Sequence, residues 1–166
     1  MTEKELCTLE ALVHELRYEN ARVERIVIAP KEDDLPDDQR EAGVTIAPSV
    51  TWLPDGRAVF ELRYTIDSPA IDFDVRILAL YRHDNVVNVS KGLLWEFFAV
   101  VAVHPLYGLS ERVRDSLNPI LLMAPDFLPP IGEIIANLEG AMERAGHQEK
   151  ETLEGMGEEN QDVEGE

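Results

Sequence analysis

Cysteine is nearly absent. Cys7 stands alone among 166 residues, which excludes an internal disulfide and a thiolate metal cluster. Positive charge is scarce. The chain carries 15 Lys+Arg against 33 Asp+Glu, a formal net charge of −18, so a phosphate backbone is repelled and no nucleic-acid partner is expected. No Gly-rich loop suited to cradling phosphate is present, because the ten Gly are scattered or lie near the C-terminus. His14, His83, His104 and His147 are dispersed, and His14-Glu15 is followed by Leu-Arg-Tyr rather than by a second His at zinc-motif spacing. Ser90 and Ser110 have no neighbouring His to activate a nucleophile. The expectation is therefore a protein without catalytic residues, metal or cofactor. Its first residues, Met-Thr-Glu-Lys-Glu, lack the basic start and apolar run of a secretion signal, so a cytoplasmic location is expected.

What is present begins with period-two alternation, the mark of strands with one wet face. Val44, Ile46, Val50 and Trp52 share one side of a first such segment, Val44–Pro54. Ala58, Phe60, Leu62, Tyr64 and Ile66 share one side of Arg57–Asp67, and Ile71, Phe73, Val75, Ile77 and Tyr81 one side of Ile71–Tyr81. Leu53-Pro54-Asp55-Gly56 and Asp67-Ser68-Pro69-Ala70 read as tight turns, so these strands form antiparallel hairpins. An earlier, less regular strand over Tyr18–Ala29 suits an edge or bulged position, giving a four-stranded meander. Asp72 and Asp74 fall on the polar face. That placement suggests solvated carboxylates pairing with Arg57 or Arg63 rather than an acid–base pair.

The period then changes. Leu9, Leu12, Val13 and Leu16 suggest a short helix within residues 1–17. Ser90 can cap a helix through Val103, His104-Pro105 interrupts it, and Pro105 opens a second helix carrying Leu106, Leu109, Val113 and Leu117. Ile120–Phe127 reads as an extended apolar connection, and Pro130 opens a last helix with Ile131, Ile134, Ile135, Leu138 and Met142 on one face. The fold class is α+β, one domain over 1–145. Residues 146–166, with eight acids and one Lys from His147 onward, read as an acidic disordered tail. Lys31–Glu41 (KEDDLPDDQRE) is a second acidic cluster.

One sheet face must be covered by helix, yet the chain offers more apolar surface than that needs. Leu93–Val103 is apolar except for Glu96. It is too short, and too interrupted by Glu96, His104 and Pro105, to read as a membrane span, so no membrane insertion is expected. The surplus should meet other chains, unless Trp95, Phe97 and Phe98 simply fill this chain's own core. A small-ligand-binding α+β domain using His14, His83 or Asp74 is the alternative from another class.

These features resemble the SecB family of export chaperones and their SecB-like relatives. The likeness rests on the strands preceding the helices, on His104-Pro105-Leu106-Tyr107-Gly108-Leu109-Ser110-Glu111-Arg112-Val113, on Leu121-Leu122-Met123-Ala124-Pro125-Asp126-Phe127 before the last helix, and on the Gly/Glu-rich acidic end. It implies an ATP-independent chaperone that holds unfolded or precursor polypeptides in apolar grooves for export, assembled as a tetramer from a dimer of dimers. It further implies client contacts from Leu94, Trp95, Phe97, Phe98, Ile120, Leu122, Met123, Phe127, Ile131 and Ile135. A docking patch for the translocase motor SecA would include Glu24, Asp72 and Asp74, but Ile28 and Arg76 stand where the family places acids. A SecB-like chaperone for another client, such as an antitoxin, is equally open.

Overall fold

The computed structural model describes residues 8–30, 43–67, 71–84, 89–117 and 127–158, the last helix beyond residue 144 by its backbone alone. A short helix α1 (Leu9–Glu15) comes first, started by the Thr8 hydroxyl, which accepts from the Ala11 N–H at 3.2 Å. Strands β1 (Arg17–Pro30), β2 (Gly43–Trp52), β3 (Arg57–Asp67) and β4 (Ile71–Arg82) follow in one antiparallel sheet.

The sheet order is β1-β4-β3-β2. Only β2, β3 and β4 form the expected meander; β1 lies beyond β4 on the opposite edge, a Greek-key arrangement. The long stretch of residues 31–42 between β1 and β2 removes the need for those strands to be neighbours. β1 is both an edge strand and a bulged one, with register shifts between Tyr18 and Asn20 and between Val23 and Arg25. Pro48 interrupts no ladder because β2 is the other edge.

The alternation holds. Ala58, Phe60, Leu62, Tyr64, Phe73, Val75, Ile77, Ala79 and Tyr81 are buried under the helices. The turn before β3 is held by Gly56 N–H to Leu53 O at 3.0 Å, and Asp55 grips Arg57 at 2.7 Å. The turn expected over residues 67–70 lies largely outside the described residues.

The helix after the sheet departs from the sequence reading. Ser90 caps it as expected, its hydroxyl accepting from the Leu93 N–H at 3.2 Å. But α2 (Lys91–Phe97) passes through a π turn at Phe98–Ala102 straight into α3 (Val103–Leu117), and His104-Pro105 does not interrupt it. The wider π turn lies just before Pro105, where the ring of a proline would otherwise crowd the carbonyl four residues back. The last helix, α4 (Ile131–Glu158), continues well past residue 145, where the sequence placed the end of the folded body. Ile134 and Leu138 on its inner face are fully buried.

The core has two aromatic clusters. Phe60 contacts Tyr81, Phe97 and Phe98, with ring centroids 5.2–5.6 Å apart, and Trp95 stacks on Phe98 at 5.8 Å. Phe127 sits on Tyr64 and Phe73 at 5.4 and 5.0 Å. The Tyr64 hydroxyl shares a 2.9 Å hydrogen bond with Ser110 Oγ, which donates to Leu106 O, so the buried hydroxyls are satisfied.

Burial pushes the Tyr64 and Tyr81 phenols up to about 12. An unfolded tyrosine ionises near pH ~10. The stabilisation is therefore complete below that pH and is lost as pH rises through the folded value. Melting temperature is expected to fall steeply from about pH 10 to about pH 12, and Tyr64→Phe should flatten that slope. A slope unaffected by Tyr64→Phe and Tyr81→Phe would contradict it.

Candidate functional site

The residues expected to line a client groove separate into three groups. Leu94, Trp95, Phe97 and Phe98 are buried within this single chain, so they are core and not an open surface. The reason is geometric: α2 and the π turn lie over the sheet, and these side chains point into the Phe60 cluster. Phe127 is likewise sealed against Tyr64 and Phe73. Ile131 and Ile135 on α4 are half-buried. Ile120, Leu122 and Met123 lie outside the described residues.

Most of the apolar surplus is absorbed by the chain's own core. The continuous helix Lys91–Leu117 is long and apolar enough to pass the length-and-composition test for a membrane span, and half of its most apolar stretch is buried inside the protein. The buried half (Leu94, Phe97, Phe98, Ala102, Val103, Leu106) is the core itself. Such burial is what the core helix of a sheet layer shows. The outward half is polar at Lys91, Glu96, His104, Glu111, Arg112, Asp115 and Ser116; Val100, 53% exposed, is its exposed apolar residue, and Ala99, Val101, Tyr107 and Leu109 are half-buried.

This outward half ends in a groove of about 250 Å³ between α3 and edge strand β1, lined by Ile26, Leu109, Arg112, Val113, Ser116 and Leu117. Ile26 is 46% exposed although it lies on the helix-facing side of the sheet, paired with Val75. Its apolar side chain forms the β1 wall of the groove, across from α3. Arg112 and Ser116 stand along the other wall. The groove is lined mainly by apolar side chains, with Arg112 and Ser116 as its polar members.

The sequence reading missed this groove. Leu109, Val113 and Leu117 were visible as a helical stripe, but their partner across the gap, Ile26, is contributed by an edge strand whose bulges break the alternation.

The other candidates are not gathered. Asp74 faces the outer side of the sheet, where Arg63 grips it through two bonds of 2.9 and 3.2 Å. That is one of the cross-strand pairings expected. Asp72 and Glu24 are exposed on the outer sheet face and in the β1 bulge, respectively. His83 is buried and lies 3.3 Å from Glu15, tying α1 to the end of β4. His14 is exposed on α1. Asp74 and His83 are nine residues apart along a strand, ~30 Å, and so do not meet in one cavity. Among the described residues no cluster of His, Cys, Asp and Glu could hold a metal ion.

No family model matches the chain, and no curated protein matches it. Among solved structures the chain is similar to the SecB-like chaperone Rv1957 of Mycobacterium tuberculosis in complex with a ChAD peptide from the HigA1 antitoxin. The two share 16% sequence identity at a TM-score of 0.51, over 69% of this chain and 88% of that one. Four antiparallel strands, a long helix over them and a last helix that closes the layer give this chain a SecB-like α+β fold.

Proposed function

We propose that this protein is an ATP-independent chaperone of the SecB-like kind, which holds non-native polypeptide in apolar grooves. The observation that carries this reading is the helix Lys91–Leu117. One face completes the core, and at its margin Leu109, Val113 and Leu117 line an open groove with Ile26. Such a holdase acts by mass action, lowering the free concentration of the unfolded client. The net charge of −18 keeps the loaded complex soluble.

A dimer-of-dimers tetramer in the cytoplasm is part of the same proposal, since the apolar groove between α3 and Ile26 suits a second copy as well as a client. Between an export role with SecA and service to a dedicated client such as an antitoxin, the second is favoured. Arg76 stands on the outer face of β4 where an acidic motor-docking patch is needed, and Asp74 is already held by Arg63.

The test is suppression of aggregation of a chemically denatured model substrate by the full chain, without nucleotide. Ile26→Asp and Leu109→Glu place charge in the groove. Each is expected to weaken client retention by about tenfold, as loss of ~1.5 kcal/mol or more of apolar contact would. Their circular dichroism should remain folded. Light scattering that shows only monomer, together with aggregation that proceeds unchecked, defeats the reading.

A further inference from the structure

The outer sheet face carries two arginine rows. At one end Arg17, Arg82 and Arg57 are paired across β1, β4 and β3. Three separate carboxylates meet them: Asp84 at 3.1 Å, Glu19 at 3.8 Å and Asp55 at 2.7 Å. Six residues along β4, roughly 20 Å away, a second row repeats the pattern with Arg25, Arg76 and Arg63 side by side.

Among the described residues one carboxylate comes within 4 Å of these three guanidinium groups, with Glu61 adding a weaker attraction at Arg63. Asp74 lies 2.9 Å from Arg63, 3.5 Å from Arg25 and 3.8 Å from Arg76. Arg63 holds it bidentately, so its oxygens are largely committed. The Arg76 Nε is buried without a hydrogen-bond partner. Like charges directly opposite one another in a sheet are destabilising, and a row built this way is costly unless something answers it. Arg22, beside Leu78 and so between the two rows, has no ion pair within 4 Å among the described residues. Glu61, Glu24 and Asp72 border the row, and none of them comes within that distance of Arg25 or Arg76.

We propose that the Arg25–Arg76–Arg63 row on the solvent face of the sheet is a docking site for an acidic polypeptide segment, separate from the apolar groove on the helix side. The complementarity is short-range. Guanidinium forks bind carboxylates bidentately, and at physiological salt the charge of the rest of the molecule is screened beyond ~8 Å. A partner with one or two carboxylates at the right place gains these bonds. A nucleic acid, charged along its whole length, meets the −18 of the remaining surface instead. The partner is thus an acidic protein segment, the opposite polarity from one that would fit an acidic docking patch.

The test is fluorescence anisotropy with the full chain and a labelled twelve-residue peptide alternating Glu and Ser, against a Lys/Ser peptide of equal length. The Glu peptide is expected to bind and the Lys peptide not to. Arg25→Gln with Arg76→Gln should weaken binding about fivefold or more, while Arg17→Gln in the satisfied row leaves it unchanged. Asp74→Asn, which frees the Arg63 fork, should tighten it, an effect that a merely structural role for Asp74 would not produce. Binding that ignores both substitutions, preference for the Lys peptide, or no binding to the wild-type chain overturns the proposal. So does binding that appears only when the acids of Lys31–Glu41 are neutralised, since the chain's own segment would then be the occupant. Client retention through the groove is scored with Ile26→Asp, so failure of either idea leaves the other standing.

Discussion

Phe98→Ala is expected to destabilise the fold by about 3–5 kcal/mol, the range for removing a large aromatic from a closed core. Phe98 has no exposure at all and contacts Phe60 at 5.2 Å and Trp95 at 5.8 Å. It also opens the π turn, a segment whose neighbours are fixed by the core on one side and by Pro105 on the other, so collapse into the cavity is restricted. The rings around it would lose both contact area and the edge-to-face geometry that adds to it. Urea unfolding followed by circular dichroism measures the change, and the midpoint should drop without a change in the slope. The alternative role for Phe98, a client-facing anchor, predicts the reverse: stability nearly unchanged and client affinity reduced. A loss below about 1 kcal/mol together with weakened client retention would move Phe98 back to the binding surface.

The difference between these roles explains how far the residues could be read. β3 and the first half of β4 were legible residue by residue because they alternate and are interior strands, so pattern and burial coincide at Phe60, Leu62, Tyr64, Val75 and Ile77; Leu78 and Leu80, buried on the outer face, break the alternation further along β4. Ser90 was legible as a cap because capping is local chemistry. The position of β1 was not, since strand order is decided by which edge a long connection reaches, and nothing in residues 31–42 encodes that choice. Nor was the π turn. Pro105 signalled trouble in the helix, but whether the chain answers by breaking or by widening depends on what packs around it, here Phe98 and Ala102 in the core. The same cause hid which apolar side chains face inward. Trp95, Phe97 and Phe98 are large apolar residues, and apolarity alone does not distinguish an inward face from an outward one. The second arginine row emerges only from register, because Arg25, Arg63 and Arg76 come from three strands and are remote in sequence.

Gly56→Ala is expected to cost at least about 2 kcal/mol, more than any other glycine substitution among the described residues. Gly56 has φ +82°, in the left-handed region, where a side chain costs ~1–2 kcal/mol by itself. Space adds a second cost. A Cβ at this position would lie 2.8 Å from the backbone oxygen of His83, closer than such atoms approach. That oxygen cannot swing aside as a side chain could, because the His83 N–H is held to Gly56 O at 2.9 Å and its ring is buried beside Glu15. The strain therefore spreads to the end of β4 and the docking of α1. Gly108→Ala provides the control. A Cβ at Gly108 meets nothing within 4 Å and sits in the interior of α3. That change should raise stability by ~0.5–1 kcal/mol through reduced backbone entropy of the unfolded chain. Denaturant midpoints of the two variants should move in opposite directions. If Gly56→Ala leaves the midpoint within ~0.5 kcal/mol of the parent, the β2–β3 turn does not bear on His83 as described, and the anchoring of α1 against the sheet must come from Leu12 and Leu16 alone.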